Sequence, residues 1–156
     1  MRKTLAGLAA IFALALIAPA AAEDVKAGDL VITQAWTRAT PNGAKVAGGY
    51  VRITNTGRAP DTLTGATVPF AKSSDIHSMS MEGGVMKMAP VTNGLTIKPG
   101  ETVELKSGGL HMMFMQVKKP FKEGDTVPVS LMFEKAGSID MTLPVKGAVA
   151  GGHTHN

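Results

Sequence analysis

An all-β domain, built as a sandwich or small barrel, is what this sequence predicts. Three observations lead there. Short runs rich in β-branched and aromatic residues recur along the chain. Turn signals separate them at short intervals, supplied by eighteen glycines and nine prolines. Past the first two dozen residues no stretch carries a helical period. With no internal repeat and no linker, a single domain with one core is expected.

The chain opens with something other than a strand. Met1 to Ala22 has a basic start at Arg2 and Lys3, an apolar run from Leu5 to Ile17, and Ala20-Ala21-Ala22 before Glu23. That is the pattern of a cleaved secretory signal peptide. The apolar run is short for a membrane span and no stop-transfer flank follows it. With neither a cysteine for lipid attachment nor a twin arginine, the expected product is a soluble protein exported unfolded, most simply into a bacterial periplasm. The division is then residues 1–22 as signal, 23–146 as the β-domain and 147–156 as a tail.

The strands follow in order. Leu30 to Thr37 is β-rich with partial alternation. Thr40-Pro41-Asn42-Gly43 is a turn. Gly49 to Asn55 alternates cleanly, with Tyr50, Arg52 and Thr54 on one side and Val51 and Ile53 on the other. Thr62 to Val68 comes next, then the two arms of a hairpin about Gly83-Gly84. Leu95 to Ile97, Thr102 to Leu105, Leu110 to Val117, Thr126 to Phe133 and Ser138 to Leu143 complete the set. Pro99-Gly100, Ser107-Gly108-Gly109, Glu123-Gly124-Asp125 and Ala136-Gly137 punctuate it.

Composition narrows the function. The net charge is +4, and removal of Arg2 and Lys3 with the signal leaves fourteen basic against twelve acidic residues. A balance near +2 is no argument for nucleic acid, and Lys118-Lys119 with Lys122 reads as a solvated loop. Zero cysteine means that the core alone stabilises the domain. It also excludes thiolate-bridged and blue-copper sites.

The chemistry lies in two runs, His77-Ser78-Met79-Ser80-Met81-Glu82-Gly83-Gly84-Val85-Met86-Lys87-Met88 and His111-Met112-Met113-Phe114-Met115. They hold seven of the ten methionines and two of the four histidines. Gly-Gly is a favoured two-residue hairpin turn, since both positions can take positive φ. It sets Met81 opposite Met86 and Met79 opposite Met88. Strand alternation then puts His77, Met79, Met81, Met86 and Met88 on one face, with Ser78, Ser80 and Lys87 on the other. In the second run His111, Met113 and Met115 share a face, opposite Met112 and Phe114. A methionine stripe is ordinarily packing, and a lone strand histidine ordinarily only hydrogen-bonds. Two His-x-Met strands plus a Met-x-Met strand, with no cysteine to compete, point instead to Cu(I). Imidazole and thioether are soft, neutral ligands, and a monocation among neutral ligands is less costly to desolvate than a dication. In the tail, His153 and His155 are candidates for a weak Cu(II) site.

These residues make the chain resemble the PCuAC-type periplasmic copper chaperones. The family motif is a histidine, ten residues, a methionine, about twenty-one residues, then His-x-Met. Here ten residues separate His77 from Met88, and twenty-two separate Met88 from His111-Met112-Met113. The extra residue falls in a stretch crossed by Gly94, Pro99-Gly100 and Gly108-Gly109, where loops tolerate insertion. The likeness extends through Ala35 to Thr40, Tyr50 to Gly57 and Lys119 to Phe133. It implies a cupredoxin-like Greek-key β-sandwich that binds one Cu(I) through His77, Met88, His111 and Met113. It further implies a monomeric metallochaperone with no catalytic residues, which delivers copper to the copper-binding subunit of cytochrome c oxidase or to another periplasmic chaperone. Met79, Met81, Met86 and Met115 are then outer soft groups or core. The competing functions are copper storage, buffering or resistance, a copper-dependent oxidase, and a metal-free binding module.

Export is directly measurable. The intact mass of protein recovered from the periplasm should correspond to a chain beginning at Glu23 or within a few residues of it. Full-length chain in the membrane fraction would refute cleavage.

Overall fold

The computed structural model describes residues 22–147. The expected export signal lies outside the described residues apart from Ala22, and the expected tail with His153 and His155 apart from Gly147. Within them run eleven strands and no helix. They are β1 (Val25–Ala27), β2 (Leu30–Arg38), β3 (Val46–Asn55), β4 (Asp61–Thr67), β5 (Ser73–Glu82), β6 (Val85–Pro90), β7 (Leu95–Ile97), β8 (Thr102–Leu105), β9 (His111–Met115), β10 (Thr126–Phe133) and β11 (Gly137–Lys146). The expected all-β single domain is what forms. Short β1, Val25-Lys26-Ala27, escapes sequence reading because it offers a single β-branched residue and no alternation of its own.

The strands pair along one path, β6-β5-β9-β3-β2-β11-β10-β4-β7, with β1 added on β2 and β8 on β3. The path folds into two layers at β11. Residues Gly137 to Pro144 pair antiparallel with β10, and Val145 and Lys146 then pair parallel with Thr37 and Arg38 of β2. Leu63, Leu131 and Leu143 from one layer meet Ile32, Ile53, Met112 and Phe114 from the other, all fully buried. Non-polar burial of this kind is the main term holding a cysteine-free domain together.

Two local features decide what the outer face of the β2–β3–β9–β5 layer carries. The first is a bulge in β2. Thr33 pairs with Arg52 and Trp36 with Tyr50, so β2 holds one extra residue, and Gln34 sits at φ 51°. The inward positions are Leu30 and Ile32 before the bulge but Ala35 and Thr37 after it. Trp36 and Arg38 are thereby turned outward. The second is Gly48-Gly49 in β3, which begins three residues earlier than alternation from Gly49 suggests. A Cβ on Gly49 would lie 2.7 Å from Phe114 Cζ, so the ring packs directly on backbone there. Thr37 Oγ1 donates to Gly48 O at 2.7 Å and ties β2 to the same spot.

Met112 is fully buried in the layer beneath these features. Met112→Ala should lower stability by about 2–5 kcal/mol, the range for truncating a buried methionine. Urea unfolding followed by tryptophan fluorescence measures it.

Candidate metal centre

The hairpin forms in the expected register. Gly83 and Gly84 occupy positive φ, at 58° and 79°. Glu82 pairs with Val85, Met81 with Met86, Ser80 with Lys87, Met79 with Met88 and His77 with Pro90. Opposed residues share a face, so the soft side chains line up on one side. Glu82 and Lys87 form an exposed ion pair on the other.

β9 lies between β5 and β3. Asp75 pairs with Met113, Ile76 with Met112 and His77 with His111, while Gly48 and Gly49 of β3 pair with Met113 and Met112. Ile76, Met112 and Phe114 point into the core, all buried. His111 and Met113 therefore emerge on the outer face beside His77. The two imidazole rings lie 5.9 Å apart, centre to centre, inclined at 53°.

The imidazoles are held differently. His111 is 6% exposed. Its Nδ1–H donates to Gly109 O at 2.9 Å, and since a carbonyl only accepts, the proton is on Nδ1 and the Nε2 lone pair is free. The β8–β9 loop is built to hold this bond. Lys106 N–H donates to Leu110 O at 2.7 Å and Gly109 N–H to Lys106 O at 3.1 Å, with Gly108 at φ 81°. His77 is half-buried, and its Nδ1 is buried with no hydrogen-bond partner. A buried ring nitrogen without a partner is costly unless something binds it.

A cavity of about 380 Å³ opens on this face, lined by Met79, Met88, His111, Met113, Gly48, Tyr50, Arg38 and Ser107 among others. Three of the four expected ligands, Met88, His111 and Met113, are on its wall; His77 stands next to it through the His111 ring. Met79, outside the expected set, is also on the wall, opposite Met88. Met88 is half exposed, whereas Met79 and Met113 are partly buried. Met115 pairs with Ser73 and Val46 and is not itself on the cavity wall, although Val46 is. Met81 and Met86 are 67% and 50% exposed and so are not core.

Arg38 and Tyr50 were not anticipated as part of the site. Tyr50's outward position could be read from the alternation of β3, but Arg38's could not, because the bulge reverses the parity of β2. Arg38 Nη2 donates to Ser107 Oγ at 2.8 Å, and its guanidinium is 5.9 Å from the centre of the Tyr50 ring, which stacks on Trp36 at 4.5 Å. Arg38 is the one side chain of fixed charge on the wall. A fixed positive charge beside neutral donors penalises a dication more than a monocation. Among the described residues no three histidine or carboxylate side chains come together. Beyond the two imidazoles the donors that the wall offers are chiefly thioether sulfurs, which favour soft ions.

Comparison with known proteins gives a consistent picture. The LpqE-like lipoprotein family model matches residues 30–145. The protein Lxx21020 of Leifsonia xyli subsp. xyli, named as a lipoprotein, is 31% identical over 121 residues, which are 78% of this chain and 72% of that protein. Among solved structures, the apo PCuAC domain of PmoF1 is 28% identical with a TM-score of 0.68, over 80% of this chain and 99% of that domain. The solution structure of CuI-DR1885 from Deinococcus radiodurans is 32% identical with a TM-score of 0.57, over 74% of this chain and 76% of that one. The expected cupredoxin-like sandwich is thus the fold.

The site residues differ in what they contribute to stability. Met88→Ala, at a half-exposed position, should change unfolding free energy within about 0.5 kcal/mol. His111→Ala should cost about 1 kcal/mol or more, since it strips the Gly109 carbonyl of its donor. Urea denaturation of the metal-free variants distinguishes the two.

Proposed function

This chain belongs to the LpqE-like family, the family of the PCuAC domains, and from that premise we propose that it is an exported copper metallochaperone. It binds one Cu(I) through His77, Met88, His111 and Met113. The observation that carries this role is the pairing of His77 with His111 across β5 and β9. One ring has its Nε2 free and the other a buried Nδ1 without a partner. Both stand beside a wall of thioethers.

The arrangement suits cargo better than a resident cofactor. All four ligands are neutral, so no proton need leave a ligand when Cu(I) binds and no thiolate holds it. Met88 is 48% exposed, and a half-exposed thioether can give way to an incoming ligand. Arg38 disfavours oxidation of the bound ion to Cu(II). Cysteine thiolates bind Cu(I) more tightly than imidazole and thioether, so transfer to a thiolate acceptor runs downhill. The family resemblance makes the dicopper centre of cytochrome c oxidase the proposed acceptor, reached directly or through another periplasmic chaperone. Export by the N-terminal signal puts the protein in the same compartment. The lipoprotein names belong to the relatives; the 156 residues here include no cysteine.

Anaerobic titration with Cu(I) should give one tight equivalent, with mixed nitrogen and sulfur scattering in X-ray absorption. His111→Ala or Met113→Ala should weaken it at least about 100-fold, beyond the ~10–100-fold usual for outer-shell partners. Met112→Ala, on the core face of the same strand, should leave it intact. Mixed with the apo copper-binding domain of the oxidase, the loaded protein should lose its copper, as followed by chromatography and NMR. Copper retained against a thiolate acceptor would replace delivery with storage or buffering.

A further inference from the structure

The soft face of the β5–β6 hairpin continues past the cavity. Met79 and Met88, directly opposed, are on the cavity wall. The next opposed pair toward the turn is Met81 and Met86, 67% and 50% exposed and absent from that wall. A methionine usually fills an irregular gap in a core; here neither side chain has a core to fill. The opposite face of the same two strands carries Ser80, Glu82 and Lys87, with Glu82 and Lys87 ion-paired, and the exposed Val85 across from Glu82. Every thioether of the hairpin thus falls on one face, and at the tip burial does not demand it.

Directly opposed residues in an antiparallel pair have Cβ atoms about 4.5–5.5 Å apart. Two flexible thioethers on such a pair can close on one soft ion. The two pairs, two residues apart along each strand, are separated by about 7 Å. We propose that Met81 and Met86 form a second, weaker soft-cation site that captures Cu(I) from solution and passes it inward to Met79 and Met88. Each exchange forms one copper–sulfur bond to the inner pair as one to the outer pair breaks, and the ion stays Cu(I) throughout. Two sulfur donors and open solvent make the outer site weak. Weak binding is what transfer to a fuller donor set requires. Capture at the tip stands by itself, while the inward destination rests on the Cu(I) site proposed above.

The test uses the whole exported chain labelled with ¹³C at the methionine methyls. It is titrated without oxygen with acetonitrile-stabilised Cu(I), and separately with Ag(I) as a redox-inert probe. The methyls of Met88 and Met113 should shift with the first equivalent, and those of Met81 and Met86 together with the second. Met81→Leu with Met86→Leu keeps side-chain size and apolarity on an exposed face. That double variant should retain the first event, lose the second, and load substoichiometric Cu(I) several-fold more slowly in stopped flow. Silent Met81 and Met86 methyls through a two-fold excess of either ion would overturn the site. So would a second event surviving in the double variant. An unchanged loading rate would overturn the inward transfer. Methyls that respond only to an added protein acceptor, and not to metal, would replace the metal site with a docking patch. Shifts at Met81 and Met86 without engagement of His111 and Met113 would uphold the tip site and refute the inner one.

Discussion

The antiparallel pairing of β5 with β9 is the constraint on which the site depends. It places His77 opposite His111, Ile76 opposite Met112 and Asp75 opposite Met113. A slip of one residue would turn every side chain of a strand to the other face. Ile76, Met112 and Phe114 prevent that slip, because all three are buried in the core and would be driven into water. The same hydrophobic burial that stabilises the sandwich thus fixes which imidazoles and thioethers face outward. No separate structural device is needed to bring the two histidines together.

Around that pairing, backbone irregularities shape the cavity. The bulge at Gln34 carries Trp36 and Arg38 to the outer face. Gly48 leaves the cavity open next to Met113, where a Cβ would come within 2.9 Å of the Tyr50 hydroxyl. Arg38 is held by Ser107 and Tyr50, so the positive charge has a fixed place. Its Nε is buried without a partner, and no carboxylate stands on the wall to neutralise that charge. Neutral donors and one fixed cation are a combination that favours low charge on whatever binds.

Exposure grades across the soft face that β9, β5 and β6 share. His111 is buried, Met79 and Met113 are partly buried, Met88 and Met86 are half exposed, and Met81 is the most exposed. The soft donors therefore run from interior to solvent, from β9 outward to the hairpin tip. Met112, on the core side of β9, is fully buried and serves packing instead.

The sequence by itself determined the strands, the hairpin and the faces. Period-two alternation with glycine turns is a local property, and it located ten of the eleven strands among the described residues. Gly83-Gly84 set the hairpin register to the residue, because a two-residue turn leaves no freedom in which residues oppose. The separation of Met113 from Met112 followed from alternation alone. What only the tertiary structure decided is what non-local contact controls. The pairing of β5 with β9, rather than with any other strand, follows from the core they share. The hairpin register already opposes Met79 and Met88, but only the sheet places that pair on the cavity wall with His111 and Met113. Arg38 enters because a one-residue bulge reverses the parity of β2, and alternation can locate such a reversal only once the partner strand is known. Burial, finally, separated Met112 from Met81 and Met86, residues of the same type whose difference lies entirely in what the rest of the chain packs against them.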